Sequence, residues 1–349
     1  MKLIRPQYFR DFQCLAGQCG DTCCAGWEIC IDPESYKKYQ GISGPLGERL
    51  RANILCSEEG YEFALRPGKR CPFLNDQNLC ELILELGQDS LCEICREHPR
   101  FYEEFGDYTL AGLGLCCEEA ARLILTQDAR LEILDRPGAP MALEPGQREL
   151  IHFMKGAWTE AMDFMNRADS PLRERIAGLL NWGEALQEAL ETGGSMPPLR
   201  PHKPHPQAMP DIFCALVTVF QGLEALEADW PDYIAQVLRG TERPVPLPRE
   251  FESCARRLVV YFLYRHFMGA LYDGDALSKI KFSVLSAGMV CAMAAHRLRQ
   301  RDSLELRDWI ALSKRYSKEI EYSDENVEAL WDACRNEAAL ETQNLTGMF

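Results

Sequence analysis

Phe12-Gln13-Cys14-Leu15-Ala16-Gly17-Gln18-Cys19-Gly20-Asp21-Thr22-Cys23-Cys24-Ala25-Gly26-Trp27 places four cysteines within eleven residues, spaced Cys14-x4-Cys19-x3-Cys23-Cys24. Core packing alone does not call for such density. Gly17, Gly20 and Gly26 leave the backbone free to turn, so that several sulfurs can converge. Thiolates bind zinc or iron in sets of four, and local pairs supply part of a set. Cys71, Cys80, Cys92, Cys95, Cys116 and Cys117 follow before residue 118. The first third of the chain therefore reads as a metal-organised module.

The totals agree with that reading. Of 16 cysteines, only Cys214, Cys254, Cys291 and Cys334 lie beyond residue 117. Met1-Lys2-Leu3-Ile4-Arg5-Pro6 contains no apolar run of the kind an export signal uses. Thiols in a reducing cytoplasm point to metal before disulfides. The net charge of −15 argues against non-specific nucleic-acid binding and suits partners rich in lysine. No membrane partner is expected: the uncharged run Phe282–Ala295 falls short of the roughly 20 residues a bilayer needs. It reads as a buried core helix.

Along the chain, short strands are expected at 27–32, 61–65 and 108–110, and a hairpin around 75–78. Helices are expected at 34–39 and 46–55, and another opens at Cys116-Cys117-Glu118-Glu119, where acidic residues suit the first turn. Pro137, Pro140 and Pro145 mark a joint to a different kind of text. From about 146 helix follows helix. Leu150, Met154, Ala157, Trp158, Ala161 and Met165 share one face, and Ser170-Pro171 opens the next helix, which Gly193-Gly194 closes. Residues 195–210 hold six prolines among Arg200, His202, Lys203 and His205, which reads as an exposed basic loop. Helices resume at 211–228, 249–272, 275–300, 303–320 and 323–340. The expected class is mainly α: a helical domain, 136–349, with a small irregular Cys-rich metal-binding α+β module, 1–135, at the N-terminus.

Several chemistries lack their motifs. Cys19-x3-Cys23 begins a radical-type Cys-x3-Cys-x2-Cys pattern, but Gly26 stands at its third position. Gly112-x-Gly114 lacks the rest of a dinucleotide loop, and no Gly-x-Ser-x-Gly, phosphate loop or His-Glu-x-x-His occurs. In Arg315-Tyr316-Ser317-Lys318-Glu319-Ile320-Glu321, Arg315 and Glu319 stand four apart and can pair, and Ser323 can cap the next helix.

Taken together, these segments resemble the flagellin lysine-N-methylase family. The likeness rests on Phe12–Cys14, Cys19–Trp27 with Ile31-Asp32, Arg70–Asn75, Leu79-Cys80 and Leu86-Gly87. It continues through Cys95-Arg96, Pro99-Arg100, Cys117–Ala120 and Arg315–Glu321. The resemblance implies methyl transfer from S-adenosylmethionine to lysines of flagellin by a protein carrying an iron–sulfur cluster, 4Fe-4S in kind, with zinc as the alternative metal. Its pattern falls on Cys14, Cys19, Cys23, Cys24, Cys71, Cys80, Cys95 and Cys117, with Cys30, Cys56, Cys92 and Cys116 as extras. Two positions depart from it: Tyr322 stands where the family-like text has His, and Cys116 where Ser is expected. Tyr316, Glu319 and Glu321 are the candidates for accepting the amine proton, with Arg315 as a partner to one of them or to the cofactor carboxylate. The competing expectation is a non-enzymatic zinc- or iron-binding protein whose helices serve a partner.

Overall fold

The computed structural model describes residues 1–58, 60–138, 140–144, 146–167, 169–204, 210–240 and 251–349. The strands are β1 (Lys2–Pro6), β2 (Cys30–Ile31), β3 (Ile54–Cys56), β4 (Tyr61–Phe63), β5 (Arg100–Phe105), β6 (Tyr108–Leu113) and β7 (Leu131–Asp135). The first helices are α1 (Pro33–Gln40), α2 (Gly44–Ala52), α3 (Glu81–Leu86), α4 (Glu93–Glu97) and α5 (Glu118–Thr126). Then come α6 (Gln147–Asn166), α7 (Leu172–Thr192), α8 (Pro210–Gln221), α9 (Trp230–Arg239) and α10 (Glu252–His266). The last are α11 (Ala270–Asp273), α12 (Ala276–Arg301), α13 (Leu306–Ile320), α14 (Asp324–Asn336) and α15 (Thr342–Leu345). The class is mainly helical, as expected.

Two units emerge. One holds Phe12–Phe101 with Cys117–Glu119; the other holds Met1–Asp11, Tyr102–Cys116 and Ala120–Phe349. The sequence division at residue 135 groups β1, β6 and β7 with the cysteines, whereas here they count with the helices. The reason is long-range pairing. β1 runs parallel to β6 (Leu3↔Thr109) and antiparallel to β7 (Ile4↔Ile133), giving the order β5-β6-β1-β7.

The cysteine-bearing unit is built on a three-stranded sheet, β2-β4-β3. The helix expected at 46–55 stops at Ala52 because Ile54–Cys56 pairs with β4 as a strand. Asp32 joins two helix starts. Its carboxylate accepts from the Ser35 amide at 2.9 Å, capping α1, and from the Glu93 amide at 2.8 Å, at the head of α4. Burial opposes its ionisation, but these amide donors, Glu93 foremost, hold its pKa down at about 2. Beneath the sheet, Ile29, Ile31, Tyr39, Leu50, Phe63 and Phe73 form the core, with Cys71 and Cys92 packed among them.

In the helical unit, α12 is the central element. It is long and apolar enough to cross a membrane by length and composition, yet 94% of its apolar window is buried inside the fold. This is the core helix expected from Phe282–Ala295. α6 carries the expected stripe, with Met154, Ala157, Trp158, Ala161 and Met165 buried and Leu150 exposed at its head. Ser170 does not cap α7: the N-cap is Pro171, and the Leu172 amide donates to the Glu252 carboxylate at 3.1 Å. α9 was not foreseen; Pro231 occupies its first turn, where proline lacks no needed donor.

The proline-rich stretch after α7 is irregular and largely exposed, as expected, where it is described, but it is tied down at a few points; 205–209 lie outside the described residues. Leu199 is buried, the His202 amide donates to Glu174 O at 3.0 Å, and the Trp182 indole donates to Pro197 O at 2.9 Å. A methyl at Gly178 would stand 2.2 Å from Arg200 O, so glycine is what lets this segment lie on α7.

Gly178→Ala should therefore force the segment off α7 and lower stability by about 1–3 kcal/mol, read as a drop in Tm. Asp32→Ala should cost about 1 kcal/mol at neutral pH. A carboxyl with a depressed folded pKa stabilises above its unfolded value, about 3.9. The difference between wild type and variant in urea melts should accordingly close as pH falls from about 4 towards 2.

Candidate functional site

The polar centre of the helical unit is Glu321, the residue that caps the C-terminus of α13; its side chain has no solvent exposure. α10 supplies its partners. The Tyr261 hydroxyl stands 3.1 Å and 3.2 Å from the two carboxylate oxygens. Arg265 Nε lies 3.2 Å and His266 Nε2 3.0 Å from Oε1. Tyr261 also accepts from the Leu115 amide at 3.2 Å, which ties the segment after β6 into the constellation. One helix turn thus presents a hydroxyl, a guanidinium and an imidazole to one carboxylate.

Electrostatics follow from that geometry. Burial pushes the Glu321 carboxyl up, but the Arg265 charge and the His266 hydrogen bond outweigh it, and the group sits below the ordinary carboxylate range. Arg265 is desolvated too, yet Tyr261 and Glu321 beside it keep it firmly protonated. Burial pulls His266 below its usual value against the opposing pull of Glu321. A neutral imidazole facing an ionised carboxylate donates its Nε2–H, which fixes the tautomer.

The two positions that depart from the family-like text meet here. The Cys116 thiol donates to the Tyr322 hydroxyl at 2.8 Å, and the Arg265 guanidinium lies 5.8 Å from the centre of the Tyr322 ring. A methyl at Gly114 would come within 2.8 Å of that hydroxyl. Glycine at 114 is thus explained by close packing of a tyrosine, not by a phosphate.

The other three candidates point elsewhere. Tyr316 is fully buried near Phe220, Trp230 and Phe262, and its hydroxyl donates to Ser286 Oγ of α12 at 3.0 Å. Glu319 accepts from the Leu226 and Glu227 amides at 2.8 Å and 3.0 Å; burial, only partly offset by these donors, raises its pKa. Arg315 does not pair with Glu319. It binds Asp229 at 2.8 Å and Glu227 at 3.1 Å and stacks 4.4 Å from the centre of the Tyr233 ring, because the turn before α9 supplies nearer acids. Ser323 caps α14 as expected, accepting from the Asn326 amide at 3.2 Å. Sequence reasoning missed Tyr261, Arg265 and His266 as partners of Glu321. Their one signal was the aromatic run 261–267, which reads equally well as core.

In the cysteine-bearing unit, pairing of 24–26 with 69–71 sets Cys24 beside Cys71: the Cys71 amide donates to Cys24 O at 2.8 Å. A bridge between Leu74 and Cys80 turns the hairpin back towards them. Burial pushes Cys71 up to about 11, with Cys80 and Cys92 near enough to add to the effect. Burial also raises Cys80, whose neighbours include Cys23 and Cys92. Cys95 donates to Cys92, and that hydrogen bond raises the first thiol and lowers the second; Cys24 and Cys71 act on Cys95 as well. Cys92, an extra by sequence, is completely buried among them.

Other members of the expected ligand set have partners of their own. Cys19 donates to Glu118, the neighbour of Cys117, at 3.7 Å, and the Gly20 amide reaches the same carboxylate at 3.0 Å. Cys14 is exposed, its sulfur 3.4 Å from the Ala16 amide, and Cys30 and Cys56 are exposed too. The donors suit a thiophilic metal in kind. Among the described residues, however, no three His, Cys, Asp or Glu side chains converge closely enough to hold one.

Residues 161–348 match the family model described as FliB lysine N-methylase C-terminal domain. That covers more than half of the chain, and the chain belongs to this family. Similar proteins include the lysine-N-methylases of Salmonella choleraesuis and Salmonella typhimurium. Each is 23% identical over 191 residues, covering 52% of this chain and 46% of the relative. The chain thus spans about half the length of these two curated relatives. The flagellar biosynthetic protein FliU of Salmonella muenchen is 28% identical over 129 residues, 35% of this chain and 76% of the relative. No solved structure matches.

Glu321→Gln should remove the ion pair from the buried Arg265 and cost about 3–5 kcal/mol at neutral pH. Glu321 stabilises above its unfolded pKa, about 4.3, and that contribution is lost as pH falls through its lower folded value. The gap between wild type and variant in denaturant midpoints should therefore narrow on acidification. Tyr261→Phe should cost less, about 1–3 kcal/mol, since the ion pair survives it.

Proposed function

We propose that this chain is an S-adenosylmethionine-dependent lysine N-methyltransferase acting on flagellin in the cytoplasm. The observation that carries the reading is the buried, ionised Glu321 ringed by Tyr261, Arg265 and His266, inside the stretch that matches a lysine N-methylase family. The names of the relatives add a lysine substrate and a flagellar context. The 16 free cysteines suit a reducing compartment.

Methyl transfer to an amine is an in-line displacement, so the nitrogen needs its lone pair. With a lysine pKa near 10.4, deprotonation at pH 7 costs about 5 kcal/mol. Desolvation of the amine reduces this cost, and an ionised carboxylate beside it gives the departing proton a positioned acceptor. We assign the acceptor role to Glu321 and the orienting role to Tyr261 and His266. Arg315, Tyr316 and Glu319 then hold the shape of the 224–233 segment and of the core beside it. S-adenosylmethionine supplies the methyl group and leaves as S-adenosylhomocysteine.

In this reading an iron–sulfur cluster or zinc would draw the thiols of the cysteine-bearing unit into a structural metal site, because among the described residues no three converge without it. Cys24, Cys71, Cys80 and Cys95 lead the ligand candidates, and Cys92 joins them by its burial among them. Cys14, Cys19, Cys23 and Cys117 complete the set that the family likeness implies.

Incubated with S-adenosylmethionine and flagellin from its own source, the protein should raise lysine mass by methyl increments. Glu321→Gln should slow turnover about 100-fold or more, measured where the variant is still folded, whereas Tyr316→Phe should lower Tm and leave turnover within a few-fold. A cognate flagellin that stays unmodified would defeat the reading. Anaerobically purified protein should contain iron with acid-labile sulfide, or stoichiometric zinc. Cys71→Ser and Cys92→Ser should both release it, and retention of metal in both would refute the thiol site.

A further inference from the structure

A cavity of about 360 Å³ opens in the helical unit between α7, the segment 202–204 behind it, α12 and α15. Asn181 and Glu184 line one wall, His202 and Lys203 a second, and Lys281 and Thr342 the rest. That volume falls within the range of small-molecule sites, about 300–1,000 Å³.

Lys281 is the distinctive residue of the cavity's lining. It is more than nine-tenths buried, and its ammonium donates to Cys334 O at 3.0 Å. Among the described residues no carboxylate forms an ion pair with it. Lys279, two residues earlier on the same helix, shows the contrast: it pairs with Asp273 and stands 3.6 Å from the centre of the Trp331 ring. A buried cation without a counter-ion is costly unless a ligand supplies the anion. Lys203 adds a second, exposed cation at the rim.

The remaining polar groups narrow the ligand. Glu184, which accepts from the Thr342 hydroxyl, and Glu341 bring negative charge to the same cavity. The Asn181 amide nitrogen is committed to Ala177 O at 2.7 Å, which leaves its oxygen as an acceptor. A simple anion would use Lys281 and be repelled by the glutamates. A molecule carrying a carboxylate, a fixed cation and hydroxyls uses all of them.

We infer that this cavity binds the methyl donor, with the carboxylate of S-adenosylmethionine on Lys281 and its sulfonium end towards Glu184 and Glu341. The inference rests on the methyltransferase reading above. α12 links the two places: Lys281 faces the cavity, and the next residue, Phe282, packs its ring 4.9 Å from His266, the partner of Glu321.

Calorimetric titration of the full chain with S-adenosylhomocysteine, which cannot react, tests the inference. Wild type should bind. Lys281→Met should weaken binding about tenfold or more and Lys203→Glu several-fold, with Lys281→Arg recovering part of the loss. Adenosine, which lacks the carboxylate, should bind wild type and Lys281→Met alike, a result that general damage to the fold would not give. The exposed Lys203 keeps the test decisive if Lys281→Met fails to fold. Absence of binding to wild type, or wild-type affinity in the variants, overturns the pocket. Flagellin methylation with unaltered binding in the variants would sink the pocket and leave the methyltransferase reading standing. Binding lost in the variants, with flagellin never methylated, would do the reverse.

Discussion

A carboxylate removed from water at the end of α13 needs a cation, and Arg265 on α10 provides it. Much of the helical unit follows from that requirement. Because Glu321 must stay ionised, Tyr261 and His266 turn their donors to it, and Tyr261 in turn fixes the Leu115 amide. Three residues on from Tyr261, Tyr264 sets its hydroxyl 2.7 Å from Ala111 O and 3.0 Å from Ile4 O, pinning the parallel strands β1 and β6 to the same helix. A single, largely buried helix thus couples a mixed sheet assembled from distant segments to a buried charge more than fifty residues downstream.

The two positions that depart from the family-like text, Cys116 and Tyr322, lie far apart in sequence but meet beside Arg265, where the thiol donates to the phenol. Gly114 leaves room for the tyrosine ring.

Much of the secondary structure was legible beforehand because helical signals are local. The stripe on α6, the Asp32-Pro33 start of α1 and the Ser323 cap of α14 each depend on residues within a turn or two of one another. Failures came where the deciding contact was remote. Ile54–Cys56 became a strand because β4 was available, and the first amide of α7 found its acceptor in Glu252. At the candidate site the sequence pointed to the right end of α13 but not to its partners. Arg315 and Glu319, four residues apart, met acids and amides of 224–229 instead of each other.

By itself, then, the sequence determined the helical class, the cysteine-rich character of the first third and the burial of Phe282–Ala295. Composition and short-range periodicity are sufficient for these. The tertiary structure alone decided which carboxylate became the buried hub, that Cys92 sits among the thiols, and that among the described residues Lys281 has no ion-pair partner while Lys279 has one. Those outcomes depend on which charges and sulfurs are desolvated together. Desolvation is a property of packing between distant segments, and no spacing along the chain encodes it.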